Sequence, residues 1–347
     1  MRELAGGIDS LVVSFYGGVR KEFVETLETS KGVSQRLGRD CTVVLGDEIF
    51  SVSPRGLVRM AYRLNHQFGV LGVSDSPSFP VLRWQPRAEF LHAVGPLVAL
   101  QWIKERCAEE FWWNRELVSR VDLHADYQGI GFSRIEIENF VLKSSHQSIE
   151  KEHEVFTGFR FGKRSSGTMV GRIYDKSAEI QSKGGEYWYS LWGDRWEPDE
   201  VVWRVEFEMH RTVLKELGIT NFESLTERVP GLWAYASQKW LTLREPGEDR
   251  TRSRWQLDAR WIKIQESFLG SHTLPLERIR ETQRHRELKE TIPFVAAQVV
   301  RLSALLGDPD VESVLIRAQT LVQDYWDERG VSLPELAITK AIDMGLV

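Results

Sequence analysis

A tyrosine set between fixed cations carries the most chemistry in this chain. The stretch Gly171-Arg172-Ile173-Tyr174-Asp175-Lys176-Ser177-Ala178-Glu179 reads as a β-strand running into a helix start or turn. Successive strand side chains point to opposite faces, so Arg172, Tyr174 and Lys176 share one face and Ile173 and Asp175 the other. A phenol oxygen is a poor nucleophile at its ordinary pKa of about 10. Neighbouring positive charge favours the phenolate, which is what a phosphoryl-transferring tyrosine needs. Taken alone, the stretch also fits a tyrosine packed in a half-buried strand.

Two further segments add carboxylates. Arg120-Val121-Asp122-Leu123-His124-Ala125-Asp126 puts Asp122, His124 and Asp126 opposite Val121, Leu123 and Ala125. Trp203-Arg204-Val205-Glu206-Phe207-Glu208 puts Arg204, Glu206 and Glu208 opposite Trp203, Val205 and Phe207. Both are period-2 strands with one apolar face for a core. Any one polar face reads as a solvated sheet surface. Carboxylates on two strands and a Tyr between cations on a third suggest an oxygen-rich, metal-assisted site of the kind that suits Mg²⁺ or Mn²⁺.

The order R-[VL]-D-x-x-x-D, R-I-Y-[DN]-K-x-x-E, W-R-V-E-x-E resembles the Rep_trans family of rolling-circle replication initiators. These proteins belong to small staphylococcal plasmids and, in divergent form, to filamentous phages and integrative elements. The motifs stand here at Arg120 to Asp126, Arg172 to Glu179 and Trp203 to Glu208, and the resemblance spans about residues 8–245. It implies that Tyr174 cuts one DNA strand and becomes joined to the 5′ phosphate. It also implies a divalent ion, Mg²⁺ or Mn²⁺, with Asp122 and Glu206 matching the metal-associated acids most closely. A homodimer is implied as well. The expected partners are double-stranded origin DNA and single-stranded DNA at the nick, with a host helicase as a further candidate and no membrane.

Composition sets bounds on that expectation. The chain has 347 residues, 42% hydrophobic and 27% charged, enough for two or three domains with a substantial core. No apolar run reaches the roughly 18 residues of a spanning helix. Met1 to Ser10 lacks the apolar stretch of a signal peptide, so the expected location is the cytoplasm. Cys41 and Cys107 are isolated and read as reduced core or boundary residues. A net charge of −5 does not advertise a nucleic-acid binder, but local charge matters more than the total. Arg160, Lys163 and Arg164 precede the Tyr174 strand and form a candidate DNA-binding rim. Arg250, Arg252, Arg254 and Arg260 form a second basic stretch.

The elements that must position these residues suggest an α+β fold with one antiparallel sheet built from two related halves, followed by helices. Residues 1–115 form the N-terminal α+β half, 116–246 the catalytic half and 247–347 a helical accessory region. Each half begins with an Asp just inside a strand, Asp9 and Asp122. Helices are expected near 19–29, 96–113, 133–144 and 222–244. Strands are expected near 41–53, 81–92, 155–163, 167–175 and 201–211. The stretch 69–80, rich in Gly, Ser and Pro, reads as a loop. Glu48 to Ser51 is the nearest first-half match to the tyrosine strand and has Phe50 in place of a nucleophile. The aromatic loop 184–199, with Trp188, Trp192 and Trp196, reads as a cap over the sheet, with base stacking as the alternative.

In the mechanism so implied, Arg172 and Lys176 stabilise phenolate and phosphorane charge. Asp126 lies roughly 13 Å along a straight strand from Asp122, so it is a secondary metal candidate. His124 could ligate, act as a base or hydrogen-bond. Glu179, Glu208 and Arg204 hold strands and cations in place. A conjugative relaxase with the same chemistry and a non-catalytic DNA-binding regulator on the same fold are the competing functions.

Overall fold

The structure is a computed structural model that describes residues 1–163, 169–270, 273–277 and 283–344. Arg164 therefore lies outside the described residues. The chain divides into two units, Met1–Arg278 and Ile279–Val347.

The first unit opens with a long strand, β1 (Arg2–Val19), and a helix, α1 (Lys21–Leu37). That helix buries Phe23, Leu27 and Ser34 and ends at Gly38, whose φ of 66° is left-handed. Four short strands follow: β2 (Cys41–Leu45), β3 (Glu48–Val52), β4 (Tyr62–His66) and β5 (Gly69–Val73). The last of these begins the stretch expected to be a loop. All five residues from Gly69 to Val73, glycines included, pair with β4 on one side and β6 on the other, and sheet pairing overrides their turn-like composition. Then come β6 (Leu82–Pro86), α2 (Ala88–Val94) and α3 (Pro96–Cys107). The expected strand over 81–92 is thus half strand and half helix. The expected helix over 96–113 stops at Cys107, because Phe111 already belongs to the next strand.

The second half repeats the plan. A long strand, β7 (Phe111–Gln128), leads through a 3₁₀ turn to β8 (Phe140–Leu142), β9 (Gln147–Glu152), β10 (Val155–Phe161) and β11 (Met169–Asp175). The 3₁₀ turn and β8 replace the helix expected at 133–144. Next are α4 (Lys176–Lys183), α5 (Tyr187–Trp192), β12 (Trp203–His210), α6 (Arg211–Glu216) and α7 (Phe222–Ala234). A π-helical turn then leads into β13 (Leu241–Leu243), which pairs with β8. A further helix, α8 (Ala259–Gln265), buries Trp261 and Ile264 in the same core. Their neighbours fix it there: Trp233 Nε1 donates to the Ile264 carbonyl at 2.9 Å and Trp261 Nε1 to the Ser237 carbonyl at 2.8 Å. The sheet-bearing unit thus continues beyond Pro246.

Among the described residues eleven strands form one antiparallel sheet, in the order β2-β3-β4-β5-β6-β1-β7-β12-β11-β10-β9, and β8 and β13 form a separate pair. The fold class is α+β, with C-terminal helices. β1 and β7 pair along their lengths and join the halves. One sheet face carries Val13, Phe15, Trp84, Leu123, Val205, Phe207 and Ile173 into the core. On that face Trp102 of α3 stacks on Trp84, and Trp233 of α7 meets Phe207 edge-on. The other face is the polar one. β6 pairs β1 only through Val13–Phe15, and α2 packs on β1. A small second core of Leu4, Ile180, Trp188, Trp192 and Val202 also lies there, so the aromatic loop caps the sheet with Trp188 and Trp192 fully buried.

The second unit contains α9 (Gln283–Leu306), α10 (Val311–Asp327) and α11 (Leu333–Asp343). Asp310 caps α10 by accepting from the Ser313 amide at 2.8 Å. Among the described residues no single helix is long and apolar enough to cross a membrane.

Candidate active site

Register, not sequence proximity, assembles the polar residues. Across neighbouring strands Arg172 pairs with Glu206 and Glu206 with His124. One step along, Tyr174 pairs with Arg204 and Arg204 with Asp126, and on the other side Glu208 pairs with Asp122. Paired residues of adjacent strands share a face, so three strands present a continuous polar patch. It is not solvated. Asp122, His124, Asp126, Arg204, Glu206 and Glu208 are all buried, because α2, α4 and α5 close over the central strands. Buried charges persist only when paired, and the pairing is extensive.

Tyr174 lies at the end of β11. Its hydroxyl donates to Glu206 Oε2 at 3.1 Å, while Arg172 holds the other carboxylate oxygen, Oε1. Opposite Tyr174 on β10 is Gly158. A Cβ there would lie 2.8 Å from the Tyr174 Cα and 2.2 Å from the Ile173 carbonyl oxygen, so only glycine lets β10 approach. Burial drives the Glu206 carboxyl up to about 7, against the pull of Arg172. Burial, with the Glu206 charge beside it, also holds the Tyr174 phenol well above its ordinary pKa. The flanking cations thus serve the carboxylates, and the resting tyrosine is a neutral phenol whose proton already points at a base.

Lys176 does not continue the strand. It is the first residue of α4, where Asp175 caps the helix by accepting from the Ala178 amide at 2.8 Å. Its Nζ binds Glu179 at 2.7 Å and stands 5.9 Å from the centre of the Tyr174 ring. Burial lowers its pKa. Arg160 of β10 pairs with Arg172, and both line a cleft of about 400 Å³ over Tyr174 with Lys183 and Glu179. Lys163 follows β10 and is exposed.

Each of the three acids expected to bind metal is taken up by an arginine: Asp122 by Arg120, Glu206 by Arg172 and Asp126 by Arg204. Asp122 accepts from Arg120 Nε at 2.8 Å, and Arg120 also reaches Glu208 at 3.1 Å. Asp126 is held by both Arg204 Nε at 2.6 Å and Arg204 Nη2 at 2.8 Å, and by Trp192 Nε1 at 2.9 Å. Burial works to raise the Asp126 carboxyl, but Arg204 outweighs it and keeps the pKa low.

A different group has the geometry of a cation seat. Asp9 of β1, His92 of α2 and His124 of β7 bring ligand atoms within 4.8 Å of one another. His124 is fully buried, yet neither ring nitrogen has a hydrogen-bond partner, and His92 Nε2 stands 3.6 Å from Asp9 Oδ1 without a hydrogen bond. Orphaned buried nitrogens are costly. Burial, with Arg204 nearby, pushes the His124 pKa down to about 3, so the ring is neutral and its lone pair free for a metal. Asp9 also accepts from Arg204 Nη1 at 3.0 Å, which ties the seat to Asp126. The donor set of one carboxylate and two imidazoles fits a divalent transition ion.

No family model matches the chain. Among curated proteins it is similar to the uncharacterized protein ORF430 of Pseudomonas phage Pf1, with 30% identity over 25% of this chain and 26% of ORF430. The chain thus spans about a quarter of the length of that relative. Among solved structures it is similar to the rolling circle replication initiator protein from Geobacillus stearothermophilus. That likeness has a TM-score of 0.46 and 13% identity, covering 79% of this chain and 99% of the other.

Two seat residues carried little sequence signal. Asp9 stood out only as the first-half echo of Asp122. His92 had none: it lies on a helix where a strand was expected, far in sequence from both partners.

Proposed function

We propose that this chain is a cytoplasmic rolling-circle replication initiator that nicks and rejoins DNA through a 5′-phosphotyrosine at Tyr174. The observation that carries the reading is the 3.1 Å hydrogen bond from the Tyr174 hydroxyl to Glu206, a carboxylate raised toward neutrality and clamped by Arg172. The motif resemblance agrees with it.

In the forward step the Tyr174 oxygen attacks the scissile phosphorus and its proton passes to Glu206. The P–O3′ bond breaks, and the departing 3′ oxygen takes up a proton to become the primer hydroxyl. One phosphoester replaces another, so no nucleotide cofactor is consumed. Arg172 and Arg160 line the cleft and would offset charge on the phosphorane oxygens. Asp9, His92 and His124 would hold a divalent cation, which supplies Lewis-acid neutralisation of phosphate charge. Arg204 positions Asp9 and Asp126, and Lys176 orders the start of α4 through Glu179. Asp122 braces Arg120 against Glu208.

The test is Tyr174→Phe. It removes one oxygen and keeps the ring packing. The variant should bind origin DNA but form no denaturation-resistant protein–DNA species on a supercoiled origin plasmid. Persistence of that species would take the nucleophile's role from Tyr174.

A further inference from the structure

Over the first half of the sheet and its seam with the second lies a basic groove with three arginines, Arg63, Arg83 and Arg87, that the chemistry above does not use. It holds about 550 Å³ and is lined by Arg63 of β4, Arg83 of β6, Arg87, Arg120 of β7 and Arg172 of β11, with Asp9 and Asp122 as its carboxylates. The register explains how distant arginines meet. Arg63 pairs with Gly72 and Gly72 with Arg83, and Arg83 pairs in turn with Ser14 of β1. This pairing places Arg63 and Arg83 on either side of Gly72, with the Met60 and Leu57 side chains packed over the glycine.

The charges there are unbalanced. Arg120 takes up Asp122, and Asp9 is held by Arg204. Among the described residues Arg63 donates only to the Asn65 side-chain oxygen at 2.8 Å, and Arg83 only to the Val58 carbonyl at 3.3 Å. Among the described residues Arg63, Arg83 and Arg87 make no ion pair with a carboxylate. The Nε groups of Arg83 and Arg172 are shielded from water and lack a hydrogen-bond acceptor. Keeping like charges together costs energy, and a chain of net charge −5 has carboxylates with which to neutralise them.

We infer that this groove seats the phosphate backbone of the single DNA strand next to the scissile phosphate. Arg172 lines both the groove and the cleft over Tyr174, so a strand lying on Arg63, Arg83 and Arg87 runs on to the nucleophile. The cleft over Tyr174 holds about 400 Å³, and the strand proposed to be cut there is the one that the groove would continue. Guanidinium groups match phosphate oxygens in a planar fork. The groove lining carries no aromatic side chain, only Leu57, Val70, Pro86 and Ala88 as apolar contacts, so it holds backbone and leaves bases unread. The inference rests on the reading of Tyr174 as a strand-cutting residue.

Binding of a 5′-labelled thymidine 20-mer, read by fluorescence anisotropy across a salt series, tests it in the full chain. Each lost single-strand phosphate contact flattens the plot of log K against log salt by about 0.7. Arg63→Ala/Arg83→Ala/Arg87→Ala should therefore flatten it by ~2 and weaken binding at least about tenfold at low salt. The control Arg20→Ala/Arg36→Ala/Arg39→Ala removes the same charge from exposed positions around α1 and should leave the slope in place. If the triple variant fails to fold, by loss of its thermal transition, Arg63→Ala/Arg87→Ala carries the test with a slope change of ~1.4. An unchanged slope overturns the proposal, as does an equal loss in the control. So does a loss on a 20-base-pair duplex as large as on the single strand. The thymidine strand is never cut, so these outcomes stand apart from any failure of the Tyr174 chemistry.

Discussion

The two halves of the sheet share one plan and divide the work. In each, a long strand comes first and the last strand of the half returns beside it: β6 beside β1, and β12 beside β7. The next strand outward is β5 in the first half and β11 in the second. By topology β5 is therefore the counterpart of the tyrosine strand, and not Glu48 to Ser51, which lies on β3. Where β11 carries Arg172 and Tyr174, β5 carries Val70 and Gly72. Phe50, expected to mark the lost nucleophile, is a fully buried core residue. In the proposed reading the second half holds the nucleophile, its base and one imidazole of the cation seat. The first holds Asp9, His92 and arginines that have no carboxylate partner among the described residues. On that reading one scaffold supplies reacting groups on one side of the β1–β7 seam and ligand-holding groups on the other.

The sharpest way to break this division is to remove the base. Glu206→Gln should lower single-turnover cleavage of a nick-site oligonucleotide by about 10²–10⁴-fold while leaving binding of the thymidine 20-mer unchanged. A variant cutting within about threefold of wild type would return Glu206 to a structural role.

The cation seat needs both halves, so substitution on either side should have the same effect. At a hundredfold excess over Kd a bound ion stabilises the fold by about 2.7 kcal/mol. Manganese should raise the melting temperature of the wild type but not of Asp9→Asn, His92→Ala or His124→Ala. Manganese should also support cleavage at lower concentration than magnesium, since imidazoles favour transition ions. A shift retained in all three variants and lost in Asp122→Asn would move the ion to the acids of the sequence motifs.

Arg204 bridges the halves through Asp126 and Asp9 and is completely buried. Arg204→Met leaves two carboxylates uncompensated and should cost roughly 3–5 kcal/mol in denaturant unfolding. A smaller effect is expected with pH in excess chelator. The folded His124 has its pKa near 3 against an ordinary 6.5. The unfolded chain therefore binds the extra proton between these values, and stability falls as pH drops from about 6.5 toward 3. His124→Gln should flatten that fall in an acid-unfolding series. The smallest effect should follow removal of the second unit. A fragment of residues 1–278 should cut the oligonucleotide within about tenfold of the full chain, ~1.4 kcal/mol in barrier. One ending at Pro246 lacks Trp261 and Ile264 and should melt far lower.

Much of the framework was legible beforehand. Clean alternation in 121–126 and 203–208 defines β7 and β12 because half-buried strands need one apolar face. The stretch through Tyr174 was legible as a strand running into a helix start or turn, and the structure shows Asp175 as the N-cap that makes the change. Errors came where local signals conflict with tertiary pairing. Gly69 to Val73 has loop composition but fills a slot between two strands. Residues 133–144 look helical yet serve as a 3₁₀ turn and a strand for β13. Lys176 seemed to extend the strand face, but the cap at Asp175 turns it into α4.

By itself, the sequence determined which residue types lie on each strand face, since alternation is a property of the extended backbone. It also determined that a tyrosine, cations and carboxylates lie on three strands of one region of the chain. Only the tertiary structure decided which of them meet. Strand order and register set the partners of each charge, so Glu206 meets Tyr174 while Asp126 is bound by Arg204. Packing of α2 against β1 brings His92 to Asp9 and His124, three residues with no common spacing. Coverage by α4 and α5 removes water, and burial is what raises Glu206 and keeps His124 neutral. Register and desolvation depend on elements far apart in the chain, and neither is written in any local pattern.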